Sequence, residues 1–192
     1  MTQAPAQPIV IAERGRLKEW SLALSNRQIV GVRYRNAPGS SWPDGNSADA
    51  MHEVDMDVMV MLDDGNVAVV SWAMAGLVEG IDLRIRREAE PSLEFGETDV
   101  TASPEWRARL RRAIKEVAVA WHVPNEGCPD TLWAVRFSLS NGPPVTIALG
   151  KVEADVVQYQ PDALVVLFDE VAARAYQPPA SAGPAFGQAV NP

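Results

Sequence analysis

Every second residue is apolar in residues 54–62, and the same two-residue spacing returns in residues 68–74. Side chains two residues apart lie on one face of a β-strand, so each segment is predicted to form a strand with a buried face. The Asp64-Gly65 pair between them is the strongest short-range signal for a turn that joins antiparallel strands. The sequence therefore predicts a β-hairpin in a fold where antiparallel sheet dominates.

The same hairpin pattern recurs, without a gap, about 77 residues later, where Val58 aligns with Val135 and the turn residue Gly65 with Gly142. Both halves also have the same predicted order of elements: helix, strand, loop, hairpin, strand. Such self-similarity indicates an internal duplication. One unit of this size would leave a sheet face or edge uncovered, which a second unit can cover. The alternative is that two amphipathic hairpins align only because they share a two-residue period.

We therefore predict an α+β protein, mainly antiparallel sheet, made of two related helix–strand–hairpin–strand units in a pseudo-twofold arrangement. The chain ends are rich in Pro, Ala and Gln, a composition typical of disordered segments. The predicted boundaries are a disordered N-terminus at 1–8, a first unit at 9–88, a linker at 89–103, a second unit at 104–176 and a disordered C-terminal tail at 177–192.

Each unit is predicted to begin with an amphipathic helix. In the first unit, Leu17, Trp20 and Leu24 are three and four residues apart, which places them on one helical face. The second helix has a clear start, because Ser103 is a good N-cap and the proline after it suits the first helical position. Its buried stripe is predicted from residues spaced by four, namely Trp106, Leu110 and Ile114.

The composition excludes some classes of function. The formal net charge of −8 argues against nucleic-acid binding, which requires a basic surface. The single cysteine, Cys128, rules out an internal disulfide and a cysteine-based zinc cluster. The longest apolar runs are shorter than the roughly 20 residues that span a bilayer, and the N-terminal residues lack the pattern of a signal peptide. We therefore expect a soluble cytoplasmic protein without a membrane or nucleic-acid partner.

Three carboxylates stand at alternate positions where the first hairpin begins: Glu53, Asp55 and Asp57. On one strand they would share a face, with roughly 6–7 Å between successive Cα atoms. Such a face can be solvated, can dock a basic partner, or can supply ligands to a hard cation or an acid and a base. The second hairpin has Leu132 and Ala134 at the positions of Asp55 and Asp57, so the acidic cluster belongs to the first half only, whereas a structural requirement of the fold is expected to appear in both halves.

The remaining candidate residues carry weaker signals. Trp42 lies in a long polar loop, where it either anchors a partner or folds back on the sheet. Tyr159 lies in an insertion between the last two predicted strands and is expected at the surface. His52 and His122 lack the spacing of zinc ligands, and the sequence contains no serine, cysteine or glycine motif of catalysis or nucleotide binding. The sequence therefore assigns no catalytic residue, no metal ligand and no cofactor.

The leading hypothesis for function is a non-enzymatic binding protein whose acidic surface meets a basic protein. An inhibitor or immunity protein that neutralises a toxin is a concrete example. The predicted partner-binding residues are Trp42, Glu53, Asp55 and Asp57. Two alternatives remain: a carboxylate-dependent metal-binding protein or hydrolase, and a structural subunit that joins a larger assembly through its sheet edges.

Overall fold

A computed structural model describes residues 6–37, 50–87 and 96–190. It confirms an α+β fold dominated by antiparallel strands. The helices are α1 (Arg14–Leu24), α2 (Pro104–Arg107) and α3 (Glu170–Ala175), with a 3-10 turn at Ile11–Glu13. The strands are β1 (Ile29–Arg35), β2 (Met51–Val54), β3 (Asp57–Leu62), β4 (Asn66–Ala75), β5 (Val78–Arg87), β6 (Glu97–Asp99), β7 (Ile114–His122), β8 (Thr131–Leu139), β9 (Gly142–Leu149), β10 (Lys151–Glu153), β11 (Val156–Gln158), β12 (Leu164–Leu167) and β13 (Gln188–Ala189). None of these described helices is long and apolar enough to cross a membrane.

The first sheet has the strand order β5-β4-β3-β1-β6 and contains the predicted hairpin. Strands β3 and β4 pair in an antiparallel register that places Val58 opposite Val70. The turn between them needs Gly65, whose φ of 81° lies in the left-handed region. The face that carries Val58 and Val60 is buried in the main core, as its two-residue period predicts.

The second sheet has the strand order β13-β7-β8-β9-β12-β2 and includes a strand from the first half of the chain. Strand β2 pairs with β12, with Val54 opposite Leu164. The chain then bends at Asp55 and Met56 before β3 begins in the other sheet. The prediction of one continuous strand through residues 54–62 is therefore wrong, because its first residue belongs to a different sheet.

Each sheet contains a four-stranded antiparallel meander, formed by β1, β3, β4 and β5 in one and by β7, β8, β9 and β12 in the other. This shared order is compatible with the repeat in the sequence. The two halves also differ, because α1 has eleven residues and α2 has four. Among the described strands, β2 of the predicted first unit joins the second sheet, whereas no strand of the predicted second unit, 104–176, joins the first. The duplication and the pseudo-twofold arrangement thus stay a prediction.

The second helix is shorter than its apolar spacing predicts. Its N-cap is as expected, since the Trp106 backbone N–H donates to Ser103 Oγ over 3.4 Å. The helix ends at Arg107, however, and Ile114 is the first residue of β7. The backbone N–H of Arg111, with a φ of 57°, donates to the carbonyl of Ile29 over 2.7 Å. This backbone pairing with the first sheet therefore replaces the next helical turn. The prediction that Leu110 and Ile114 continue the buried face of the helix is wrong, because both residues lie after the helix ends.

The C-terminal segment packs on the second sheet, although its composition predicted a disordered tail. Gln188 pairs with Val119 at the sheet edge. Ala185 is buried, and the Arg136 guanidinium lies 3.8 Å from the centre of the Phe186 ring. The predicted linker also contains sheet structure, because β6 pairs with β1. The C-terminal segment is rich in Pro, Ala and Gly, yet the contacts of Ala185 and Phe186 and the pairing of β13 with β7 hold it against the second sheet.

A buried cluster of Tyr34, His52 and Trp106 joins the two sheets. Tyr34 lies on β1 of the first sheet, and its hydroxyl accepts a hydrogen bond from Trp106 Nε1 over 2.7 Å. The same hydroxyl lies 2.8 Å from Nδ1 of His52, on β2 of the second sheet. Glu105 faces the other ring nitrogen of His52 at 3.4 Å. Every group is satisfied when Tyr34 donates to Nδ1 and the Nε2–H of His52 donates to Glu105.

The same region buries a positive charge. The Arg109 guanidinium is 3% exposed and donates to the carbonyl oxygens of Pro144 and Phe168. Burial lowers the pKa of Arg109 to about 10. The Phe168 ring stands edge-on to Trp106, with 5.2 Å between ring centres. Hydrogen bonds to carbonyl groups and ring contacts thus hold this charge where the two sheets meet.

Replacement of Tyr34 by Phe is expected to lower the free energy of unfolding by about 1–3 kcal/mol, because it leaves the buried Trp106 N–H without an acceptor. Urea unfolding followed by tryptophan fluorescence measures the change. The matched control is Val30→Thr, a half-exposed position on the same strand, where a change within about 0.5 kcal/mol is expected. Equal stability of Tyr34→Phe and the native chain would show that this cluster does not stabilise the joint.

Candidate functional site

The three predicted acidic residues do not share a face. Asp57 begins β3 and is 3% exposed. Its carboxylate forms an ion pair with Arg35 and accepts a hydrogen bond from Ser71 Oγ over 2.5 Å. The Glu53 carboxylate, on the other sheet, accepts the backbone N–H of Val152. The bend at residues 55–56 separates these side chains, so the expectation of one acidic strand face is wrong.

Asp55 lies in the bend itself, and one of its carboxylate oxygens accepts the backbone N–H of Ala37 over 3.3 Å. Trp42, the predicted anchor, lies outside the described residues. In the described ranges 6–37, 50–87 and 96–190, no three His, Cys, Asp or Glu side chains are grouped so that they could hold a metal ion. Of the predicted partner-binding residues that the structure describes, Glu53, Asp55 and Asp57 thus do not share one strand face, and their binding of a partner stays a prediction.

Asp57 belongs to a network of charged side chains on the outer face of the first sheet. Arg84 Nη2 donates to Ser71 Oγ over 2.8 Å, and its Nε lies 3.2 Å from the carboxylate of Asp82. Asp82 is also 3% exposed at its side chain and pairs with Arg16 of α1 at 3.1 Å. These contacts bind neighbouring strands to each other and to α1, which gives the buried carboxylates a structural role.

Replacement of Asp57 by Asn is expected to lower the free energy of unfolding by about 3–5 kcal/mol, because it breaks a buried ion pair from one side. Asp63→Asn, at an exposed turn position next to the same strand, is the control and is expected to change stability by less than about 0.5 kcal/mol. Chemical denaturation measures both. Similar small effects of the two substitutions would contradict a structural role for Asp57.

A groove lies elsewhere, between the β10–β11 hairpin and helix α3, with a cavity volume of about 370 Å³. We call it the hairpin groove. Its lining is mostly apolar and comes from β2, the hairpin, α3 and the segment after α3. The main contributors are Met51, Val157, Tyr159, Ala172, Ala175 and Tyr176. Two valines nearby are largely exposed, Val156 of the hairpin at 60% and Val171 of α3 at 72%.

Local sequence explains both walls of the hairpin groove. Ala154 and Asp155 have φ values of 51° and 62°, which allow the tight two-residue turn that joins β10 to β11. On the opposite wall, the Asp169 side chain caps α3 by accepting the backbone N–H of Val171 over 2.9 Å. The helix ends at Ala175, and prolines follow Gln177. Turn and capping residues therefore fix the two elements that face each other across the groove.

Two tyrosines form the floor of the hairpin groove. The Tyr176 hydroxyl donates to the carbonyl of Leu149 over 2.6 Å, and burial raises its pKa. The Tyr159 hydroxyl donates to Glu79 over 2.9 Å, and burial, then this contact, raises its pKa as well. Gly150 makes room for the floor, because a Cβ there would lie 2.9 Å from the Tyr176 hydroxyl oxygen. Both phenols stay neutral near neutral pH.

Beneath the floor lie His122 and Trp133, which are almost fully buried. The His122 ring is 5.3 Å from that of Tyr159, and the Trp133 ring is 5.2 Å from that of Tyr176 at an interplanar angle of 89°. Within the part of the chain that the structure describes, His122 Nε2 and Trp133 Nε1 have no hydrogen-bond partner. The four aromatic rings thus pack against each other beneath the groove, a cluster that sequence reasoning missed because its members come from four separate segments.

The chain segment that supplies most of the lining of the hairpin groove is acidic. Residues 150–179 contain five carboxylates and two cations. The carboxylates are Glu153, Asp155, Asp162, Asp169 and Glu170, and the cations are Lys151 and Arg174. Both cations pair with carboxylates of the same segment, at 3.6 Å and 2.7 Å. Asp155, at the hairpin tip, lines the groove and is exposed. A partner that enters here therefore meets excess negative charge around an apolar floor.

Comparison of the chain with protein-family models, with curated proteins and with solved structures finds no match. Tyr159 illustrates what the sequence did not reveal. It was expected at the surface, but its ring is half-buried and its hydroxyl reaches Glu79, a residue 80 positions earlier in the chain.

Both histidines are expected to make the fold less stable as the pH falls. Burial lowers the pKa of His52, which faces Glu105, and that of His122, near Glu79 and Asp130, below the ordinary value of 6.5. Just below pH 6.5 the unfolded chain therefore binds more protons than the folded chain. The free energy of unfolding then increases as the pH rises through this window and decreases as the pH falls.

Urea unfolding between about pH 7.5 and pH 5.5 measures this loss. NMR titration of the two histidine Cε1–H signals, assigned with a His122→Gln variant, reads each pKa directly. A titration midpoint at or above 6.5 for both histidines would contradict the predicted direction.

Proposed function

We propose that this protein is a non-enzymatic binding protein, and that the hairpin groove receives a partner segment with an apolar anchor flanked by basic residues. The single observation that carries the proposal is an apolar groove set in the acidic segment 150–179. An inhibitor or immunity protein for a basic toxin is one form that such a function takes. As inferred from the sequence, the partner is basic, but the proposed binding surface is the hairpin groove instead of residues 53–57.

The apolar floor supports an anchored partner. The hydroxyl groups of Tyr159 and Tyr176 already form hydrogen bonds inside the protein. An apolar side chain of a partner can therefore contact the two rings without leaving a hydroxyl group unpaired. The exposed Val156 extends the apolar surface along the hairpin. An anchor in a pocket of this kind commonly contributes much of the binding energy of an interface.

Charge supports a basic partner. The two cations of residues 150–179 are held by Glu153 and Glu170, so Asp155, Asp162 and Asp169 remain as excess negative charge. Complementary charge at the rim of an interface mainly accelerates association and selects the partner. The affinity for a basic partner is therefore expected to decrease as salt is added.

The test uses fluorescein-labelled peptides in which Leu, Phe or Met is flanked by Lys and Arg, together with the same peptides carrying Glu in place of the basic residues. Fluorescence anisotropy with the full chain is expected to show binding of the basic set only. Ala175→Trp fills the groove and is expected to weaken binding at least about tenfold. Asp155→Asn is expected to weaken binding less, and mainly at low salt.

Each substitution has a matched control. Val171→Trp places the same side chain on α3 outside the groove lining, and Asp63→Asn removes an exposed carboxylate outside residues 150–179. Both controls are expected to bind like the native chain. Preference for the acidic peptides, or equal affinity of Ala175→Trp and Val171→Trp, would contradict the proposed function.

A further inference from the structure

A second groove, with the opposite charge, lies between α1, β7 and β13. We call it the α1 groove; its cavity volume is about 300 Å³. Leu17 and Val119 form its apolar floor, and Trp121 forms part of its wall. Arg14 and Lys18 of α1 line the opposite side. The volume is at the lower end of the roughly 300–1,000 Å³ found for small-molecule pockets, which suits a ligand built on one ring.

The arrangement follows from two spacings. Arg14 and Lys18 are four residues apart, so they lie on the same side of α1, next to Leu17, which is 3% exposed. Val119 and Trp121 are two residues apart and face the same side of β7. Strand β13, paired with β7 opposite Val119, closes the groove at the sheet edge. Helix, sheet and C-terminal segment thus bring two cations and an indole to one cavity.

The two cations are not neutralised by any of the described residues. Arg14 and Lys18 are exposed and form no ion pair with any residue in the described ranges, whereas the neighbouring Arg16 pairs with Glu13 and Asp82. None of the described residues that line the cavity is a carboxylate. A chain of net charge −8 therefore presents a local positive site beside an aromatic ring.

We propose that the α1 groove binds a small planar aromatic acid. The Trp121 indole provides a face for the ligand ring, and the Arg14 guanidinium already lies 5.9 Å from the centre of the indole ring, within reach of a carboxylate on a stacked ligand. Arg14 provides charge-assisted hydrogen bonds to that carboxylate, and Lys18, one turn along the helix, provides a second positive charge. This site is separate from the hairpin groove and does not depend on its function.

The probe is phthalate, an aromatic dicarboxylate, titrated into the ¹⁵N-labelled chain and followed by amide and indole NMR shifts. Saturable shifts of α1, β7 and the Trp121 indole are expected. Cyclohexane-1,2-dicarboxylate, which has the same charges but no flat ring, and neutral phthalamide are each expected to bind at least about tenfold more weakly.

The double substitution Arg14→Gln and Lys18→Gln is expected to weaken phthalate binding at least about tenfold, because both charge-assisted contacts are lost. Lys115→Gln, which removes an exposed cation at the start of the strand that carries Trp121, is the control and should leave the affinity unchanged. Thermal unfolding confirms that both variants fold. Absence of phthalate shifts, equal binding of the cyclohexane acid, or equal affinity of the double variant and the control would each overturn the proposal.

Discussion

Residues Met51–Val54 pair with β12 rather than with the hairpin that follows them, and this pairing ties the two sheets together. The chain then has only Asp55 and Met56 in which to cross from one sheet to the other. Hydrogen bonds at both residues fix the crossing: Trp72 Nε1 donates to the carbonyl of Asp55 over 2.5 Å, and the Met56 backbone N–H donates to the carbonyl of Arg35 over 3.1 Å. The position of His52 beside Tyr34 follows from this crossing.

The same short strand supports the hairpin groove, because its alternate side chains face opposite sides. His52, on one side, reaches Tyr34 and Glu105 where the sheets meet. Met51 and Glu53, on the other side, serve the groove: Met51 lines the cavity, and the Glu53 carboxylate holds the backbone of the β10–β11 hairpin. Strand β2, from the first half of the chain, therefore positions a groove built mostly from the second half. The contact between the two sheets and the shape of the hairpin groove both depend on the pairing of β2 with β12.

Sequence reasoning succeeded where the determining contacts are local. The two-residue period and the Asp64-Gly65 turn predicted the β3–β4 hairpin, and the spacing of Leu17 and Trp20 predicted α1. It failed where distant contacts decide. Apolar residues alternate without a break from Val54 into β3, so the spacing does not mark the change of sheet. Ile114 fits the apolar face of a helix as well as a strand, so its position does not mark the end of α2. The hairpin groove was missed for the same reason, since its floor combines Tyr159 and Tyr176 with supports from β7 and β8.

Net charge was the weakest guide to the surface. The formal charge of −8 and the alternating carboxylates of residues 53–57 predicted an acidic binding surface, but Asp57 and Asp82 are buried in internal pairs and add little to what a partner meets. At about 0.1 M salt, charges act over a screening length of ~10 Å, so each groove is governed by its own rim and not by the sum over the chain. The acidic segment 150–179 supplies most of the hairpin groove, and Arg14 and Lys18, which form no ion pair within the described residues, line the α1 groove. One acidic protein thus has two surfaces of opposite electrostatic character.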